Sequence, residues 1–370
     1  MRQMIFLSAM LLFHQITNAQ IPLTTAPSGG NKKATVAEQV GLTEVTINYS
    51  RPGVKGREGK IWGQLVPAGF TDPGFGSSKS APWRAGANEN TIITFSNNVK
   101  IEGHSLPAGA YGFFIAYAPD ECTLIFSKNS SSWGHYYYNE KEDALRIKVK
   151  PVMLDKSVEW LKYEFVNQAA GSATVELQWE KLAIPFIIET DYTRDQIASF
   201  RKELRSSKGF IWESWDQAAQ WCVQNNTNLD EALLWTDSAT SINFGGNGVF
   251  TPWVTKAMVL EKSGRSREAE AVMKKALPLG TVIQVHQYGR QLLAQKKPQE
   301  AFTIFKANHD KNPNQFTTLV GLTRGYSALG DYKKALKYAT QALPLAPDSL
   351  NKTSVEAMLQ KLKDGKDVNE

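Results

Sequence analysis

The feature that most limits how this chain can fold is a change of hydrophobic period near residue 190 of its 370 residues. Before it, from about residue 34, apolar and polar side chains alternate in short runs. "EVTINYS" sets Val45, Ile47 and Tyr49 on one face. "TIITF", "AYGFFIAY", "CTLIF", "LRIKV", "VEWLKYEFV", "TVELQW" and "IPFII" follow, separated by clusters of Gly, Pro, Asn and Ser. Side chains on a strand alternate between faces, so this pattern predicts an antiparallel β-sandwich over residues 28–190. After Thr193 the apolar positions recur every three or four residues, as on a helix. The expected fold class is therefore two-domain, β then α.

The helical half is periodic at a longer scale as well. Ala269, Ala301 and Ala335 are separated by steps of 32 and 34 residues, and Ala232 lies 37 before the first. The last unit carries Leu319, Leu322, Tyr326, Gly330, Tyr332, Ala335, Ala339, Ala342 and Pro347. This layout resembles a tetratricopeptide repeat, in which small residues let two antiparallel helices approach and a proline ends the second. Units are expected at about 250–280, 282–314 and 316–348, with a weaker match from Trp212 to Ala239. Residues 349–366 would cap a solenoid spanning 193–366.

The turns of the first half, taken together, carry a second resemblance. "GLTEVTINYSRPGVKGREGKIWGQLVP", "WRAGANENTIITFS", "VKIEGHSLPAGAYGFF" and "ALRIKVKP" resemble the bacterial domain of unknown function 2911 family over about residues 28–187. That resemblance implies a typically exported sandwich, in some members followed by helical repeats. It implies no catalytic residues, because the family has no established activity. Between Pro67 and Trp83 the sequence departs from the shorter family pattern: "AGFTDPGFGSSKSAP" replaces a brief link, so a shared site would be partly covered or reshaped there.

The N-terminus, "MRQMIFLSAMLLFHQITNAQ", has Arg2, an apolar run from Ile5 to Phe13, and small residues before Gln20. These are the parts of a signal peptide at residues 1–19, cleaved near Ala19/Gln20. The apolar run is about half the length a membrane span needs. Export to the periplasm or medium is the expectation, with no membrane span. Net charge is +6. Residues 20–190 carry 17 basic and 17 acidic side chains, and residues 191–370 carry 24 and 19, so the excess is mild and spread out. Nucleic-acid binding wants denser basic stretches than these. Cys122 and Cys222 lack any CxxC or Cys/His neighbourhood and are expected to be buried free thiols.

Candidate site residues form three groups in the sandwich half. In "APWRAGANENT" (81–91), Arg84, Asn88 and Glu89 stand beside Trp83. Glu89 as a base and Arg84 as an anion anchor would make a catalytic pocket, but no second carboxylate or histidine sits at motif spacing. The alternative is a structural clasp: Glu89 pairs with Arg84 or Arg51 over Trp83, Gly86 makes the turn, and Asn88 and Asn90 tolerate left-handed backbone. In "YSRPGVKGR" (49–57), Arg51, Lys55 and Arg57 suit an anion such as a carboxylate or acidic sugar. In "SSWGHYYYNEKED" (131–143), Trp133 and His135 with Tyr136, Tyr137 and Tyr138 either stack on a sugar or alternate on a strand. In the repeats, His286, Arg290 and Arg324 fall at inner-face positions, where they either hold an acidic group of a protein or peptide partner or stand as solvated walls of the groove. No HExxH, paired His/Cys spacing or calcium loop is present, so no metal or cofactor is expected. Nor is there a complete catalytic set. The function these features favour is a non-enzymatic exported scaffold, with a sandwich that binds or hydrolyses an anionic or carbohydrate ligand as the alternative.

Overall fold

The computed structural model describes residues 30–370; the expected signal peptide at 1–19 lies outside the described residues. The chain divides into two compact units, Met1–Gln196 and Ile197–Glu370.

Among the described residues the first unit contains ten strands: β1 (Lys32–Val40), β2 (Thr43–Arg51), β3 (Thr91–Phe95), β4 (Val99–Ile101), β5 (His104–Leu106), β6 (Gly109–Ala116), β7 (Cys122–Ser127), β8 (Asp143–Val149), β9 (Val152–Ala169) and β10 (Ser172–Glu189). They build two antiparallel sheets, a six-stranded one in the order β1-β2-β3-β6-β7-β8 and a four-stranded one in the order β5-β4-β10-β9. Val45, Ile47 and Tyr49 on β2 are buried, as the alternation predicts. One core joins both sheets: Ile47, Ile93, Phe113 and Phe126 from the larger meet Leu161, Val175, Leu177 and Phe186 from the smaller. Phe113 and Phe186 touch across the two layers with ring centres 5.6 Å apart.

Two details differ from the sequence pattern. "TVELQW" and "IPFII" are one 18-residue strand, β10. Its pairing with β9 shifts register on both sides of Glu180, which adopts φ 53°. Such a bulge inserts an extra residue and resets the alternation, so a single strand reads as two. In β6, every residue from Tyr111 to Ala116 is buried instead of every second one. The stretch after Pro67 covers its outer face. Trp83 and Ile115 exchange both backbone hydrogen bonds, at 3.0 and 2.8 Å. Ala81 packs with Phe114, Ile125 and Tyr138 in a small outer cluster.

In the helical half, α1 (Tyr192–Glu203) is followed by four helix pairs: α2 (Trp212–Gln224) with α3 (Leu229–Ala239), α4 (Phe250–Lys262) with α5 (Ser266–Ala276), α6 (Val282–Ala294) with α7 (Pro298–Lys311), and α8 (Phe316–Ala328) with α9 (Tyr332–Ala342); α10 (Ser349–Lys363) comes last. Ala232, Ala269, Ala301 and Ala335 are all buried, where a larger side chain would push paired helices apart. Gly289 and Gly321 meet the same need: a Cβ would stand 2.4 Å from Phe305 Cε1 at the first and 2.9 Å from Phe305 Cδ1 at the second. The apolar clusters are small and follow one another along the chain, as expected when each repeat contacts only its neighbours. Cys122 and Cys222 are both buried and unpaired.

Candidate functional site

The 81–91 segment is a pinned turn. Ala85 (φ 50°) and Asn88 (φ 59°) supply its left-handed residues, and Gly86 does not. Gly86 is required for closeness: a Cβ there would lie 2.8 Å from Thr91 Oγ1 and 3.1 Å from the Ser50 carbonyl. The Ala85 carbonyl accepts from Thr91 Oγ1 (3.0 Å) and from Tyr163 Oη (2.8 Å), which fixes the turn to the core. Asn88 Oδ1 accepts from Asn31 Nδ2 at 3.2 Å.

The expected clasp is not formed. Glu89 pairs with Lys33 at 2.7 Å and accepts from Ser50 Oγ at 3.2 Å. The Lys33 hydrogen bond is the main reason its carboxyl lies below the ordinary value. Lys33 and Ser50 are cross-strand partners in the β1–β2 register, so both arrive beside Glu89 through sheet pairing. Arg51 instead donates its Nε to the Leu161 carbonyl at 2.8 Å. Arg84 turns toward His135, with Nη1 3.2 Å from Nδ1. Since a guanidinium only donates, Nδ1 accepts and the neutral ring carries its proton on Nε2. Burial, with help from Arg84, pushes the His135 pKa down to about 4, so the ring is uncharged at neutral pH.

Three of the eight sandwich candidates converge. Arg57, Arg84 and His135 line one cleft of about 370 Å³, beside Trp83 and Trp179. Arg57 is held in place by its own loop, Nε donating to Val54 O (3.0 Å) and Nη2 to Gly53 O (2.7 Å). The Arg84 guanidinium lies over the Tyr136 ring, 5.9 Å from its centre. Arg51, Lys55, Asn88, Glu89 and Trp133 do not line this cleft. Lys55 sits over Trp160 instead, and Trp133 is exposed. Residues 131–139 are turns and bends, so the aromatic group lies on a loop and does not alternate on a strand. What the sequence pattern missed is the rest of the lining, including Leu65, Val66, Pro67, Asp72 and Pro73. Its only local signal was the density of proline in that stretch.

In the helical unit a second cleft, of about 320 Å³, is lined by α2, α4 and α6, the first helices of three successive pairs. Gln220, Gln224, Gln284, Gln287 and Gln291 face it together with Phe250, Val254 and Met258. None of these glutamines belongs to the repeat pattern, which records helix packing and leaves groove chemistry free. Arg290 and Arg324 are close enough that each guanidinium helps to hold the His286 imidazole neutral, with burial the larger cause and a pKa near 4. The three candidates therefore do come together. Arg290 is exposed. Arg324 is engaged by the chain's own last residues: Nη1 donates to Asn369 Oδ1 (3.3 Å), and Asn369 Nδ2 donates to the Arg324 carbonyl (3.1 Å). Ser327 Oγ donates to Asp367 Oδ1 at 2.7 Å and accepts from the amide of buried Val368 at 3.0 Å. No helix among the described residues is long and apolar enough to cross a membrane.

Residues 31–188 match the family model described as "Protein of unknown function (DUF2911)". No curated protein matches the chain. Among solved structures, similar ones include YrrB, described as a TPR protein with an unusual peptide-binding site, at 17% identity and TM-score 0.28, covering 46% of this chain and 86% of that one. Another is a kinesin light chain with nearly identical TPR-like repeats from Podosopora anserina, at 16% identity and TM-score 0.30, covering 41% and 85%. A third is MamA from Desulfovibrio magneticus RS-1, at 16% identity and TM-score 0.27, covering 41% and 93%.

Proposed function

We propose that this chain is an exported, non-enzymatic binding protein of the bacterial cell envelope whose helical repeats hold an extended segment of a protein partner. The observation that carries the proposal is the glutamine-lined cleft on α2, α4 and α6. A carboxamide donates and accepts at once, which matches the alternating N–H and C=O of an extended backbone and asks little of its sequence. Phe250, Val254 and Met258 add apolar surface, and Met adapts to varied side chains. Beyond the cleft, exposed Arg290 favours an acidic residue on the partner. Export rests on the leader-like residues 1–19, and an envelope location is consistent with the mild charge.

Peptides selected from a random display library against the full chain test this. A selected peptide is expected to lose about tenfold in affinity, roughly 1.4 kcal/mol, when Gln224 and Gln287 are both replaced by Ala. A further loss is expected for acidic peptides with Arg290→Ala. Selected peptides that bind the double variant equally well would sink the groove assignment. N-terminal sequencing of the protein from its host's envelope fraction checks export, with Gln20 as the expected first residue.

A further inference from the structure

The sandwich cleft plays no part in the function proposed above, and its chemistry is of a different kind. Two guanidiniums enter it from separate segments: Arg57 after β2, and Arg84 before β3. Neither has a carboxylate within ion-pair distance among the described residues; Glu89 is taken by Lys33. Asp72, which also lines the cleft, is turned to its own loop, accepting from the Gly74 amide at 2.8 Å and facing Lys79 at 3.7 Å. Arg84 Nε is buried and has no acceptor among the described residues. Partly buried cations without a counter-charge are costly, and an anion delivered to the cleft offsets that cost.

Both guanidiniums are also held in position. Arg57 is fixed by two backbone carbonyls. Arg84 rests on Tyr136 and His135, and Gly134 keeps the space beside it open, since a Cβ there would come 3.3 Å from Arg84 Nη1. Donors already in position lose less freedom when a ligand arrives. His135 adds no third charge at neutral pH. The rest of the lining mixes apolar side chains, Leu65, Val66, Trp83 and several prolines, with Asn31, Thr71 and Asp72.

The geometry points to a binding site for a small organic carboxylate, its two oxygens held by Arg57 and Arg84 and its compact apolar body against Trp83, Leu65 and Val66. Guanidinium forks match the planar pair of carboxylate oxygens. A phosphate monoester would carry up to twice the negative charge of a carboxylate past Asp72, whose own carboxylate lines the same cleft. The cleft volume of about 370 Å³ falls near the small end of the usual range for small-molecule sites, roughly 300–1,000 Å³.

The test is calorimetric titration of the mature chain, residues 20–370, with three matched series at fixed ionic strength: aliphatic and aromatic monocarboxylates, their neutral amides, and phosphate monoesters of the same bodies. Carboxylates are expected to bind at least tenfold tighter than both other series. Arg57→Gln and Arg84→Gln should each weaken carboxylate binding at least tenfold. Lys55→Gln, outside the cleft, should leave it unchanged. Affinity should be flat between pH 6 and 8, because the neighbouring imidazole does not titrate there. If Arg84→Gln fails to fold, Arg57→Gln still decides the matter, since that side chain bonds only its own loop. Equal binding of amides, tighter binding of phosphates, no effect of Arg57→Gln, or no binding by any carboxylate at millimolar concentration would each overturn the assignment.

Discussion

The two halves of this chain solve the burial of apolar surface in opposite ways. The sandwich collects residues from ten strands into one core, where β2, β6 and β10 meet although they lie far apart in sequence. The helical half divides its apolar surface into small clusters, each built from neighbouring stretches of chain. Damage in the first should therefore spread through the domain, and damage in the second should stay within a repeat and its neighbours. The difference extends to function. The sandwich can bring residues from separate loops into one cleft, whereas the repeats offer a periodic surface along successive first helices.

Phe113→Ala is the strongest way to break this contrast. The ring is fully buried and touches Phe126, Tyr163 and Phe186. Its removal should cost about 3–5 kcal/mol. Native-state hydrogen exchange should show protection falling across both sheets together. A loss confined to β6 and β7 would mean that the sandwich is less cooperative than its single core implies.

Acid should act next most strongly, and on the helical half through His286. Its folded pKa of about 4 lies below the ordinary 6.5, chiefly from burial, then from Arg324 and Arg290. With the folded value depressed, the unfolded chain binds the proton first. Stability is full above about pH 6.5 and falls as pH drops toward 4, by an amount on the order of 2–3 kcal/mol. Besides the two arginines, the ring faces Phe305 and Gly321. His286→Gln should flatten that part of the pH profile in denaturant titrations followed through α6–α8. An unchanged profile would show that the imidazole is not the titrating group.

How much of this was legible in sequence follows the same division. Helix packing is local, so Ala269, Ala301 and Ala335 announced themselves by spacing. Sheet pairing is not local. Lys33 is the partner of Glu89 because β1 lies beside β2, and no motif spacing could connect residues so far apart; the nearby arginines were the natural but incorrect choice. The β10 bulge at Glu180 hid one strand as two. The cleft was half visible: Arg57, Arg84 and His135 stood out as charged or aromatic company, while the lining from Leu65 to Pro73 carried no signal beyond its prolines. Turn geometry was legible at Asn88, whose side chain tolerates positive φ, and misleading at Gly86, which serves close approach.

Gly289→Ala sharpens the local side of the comparison. The new methyl would meet Phe305 Cε1 at 2.4 Å, and the ring is buried with little room to move. Overpacking of this kind should cost about 1–3 kcal/mol. Hydrogen exchange should rise in α6, α7 and α8 and stay unchanged in α2, α3 and α10. Adding Phe305→Leu should recover part of the loss, giving a non-additive cycle. Exchange rising uniformly along the repeats would contradict their near-neighbour character.

The smallest effect belongs to the Lys33–Glu89 pair, and it bears most directly on the 81–91 turn. The two side chains are 66% and 35% exposed, so solvent screens them and the pair is worth no more than about 1 kcal/mol. Because the Glu89 carboxyl lies below 4.5 in the folded chain, this contribution is present above that value and disappears as pH falls through the folded pKa. Lys33→Gln should lower stability slightly at pH 7, and by progressively less as pH falls through the folded value. It should also move the Glu89 carboxyl upward in an NMR titration, while Arg84→Gln leaves that titration where it was. Arg84 is then free of structural duty toward Glu89 and available to the cleft. A Glu89 pKa that follows Arg84 instead of Lys33 would restore the clasp and remove one of the two guanidiniums from the anion site.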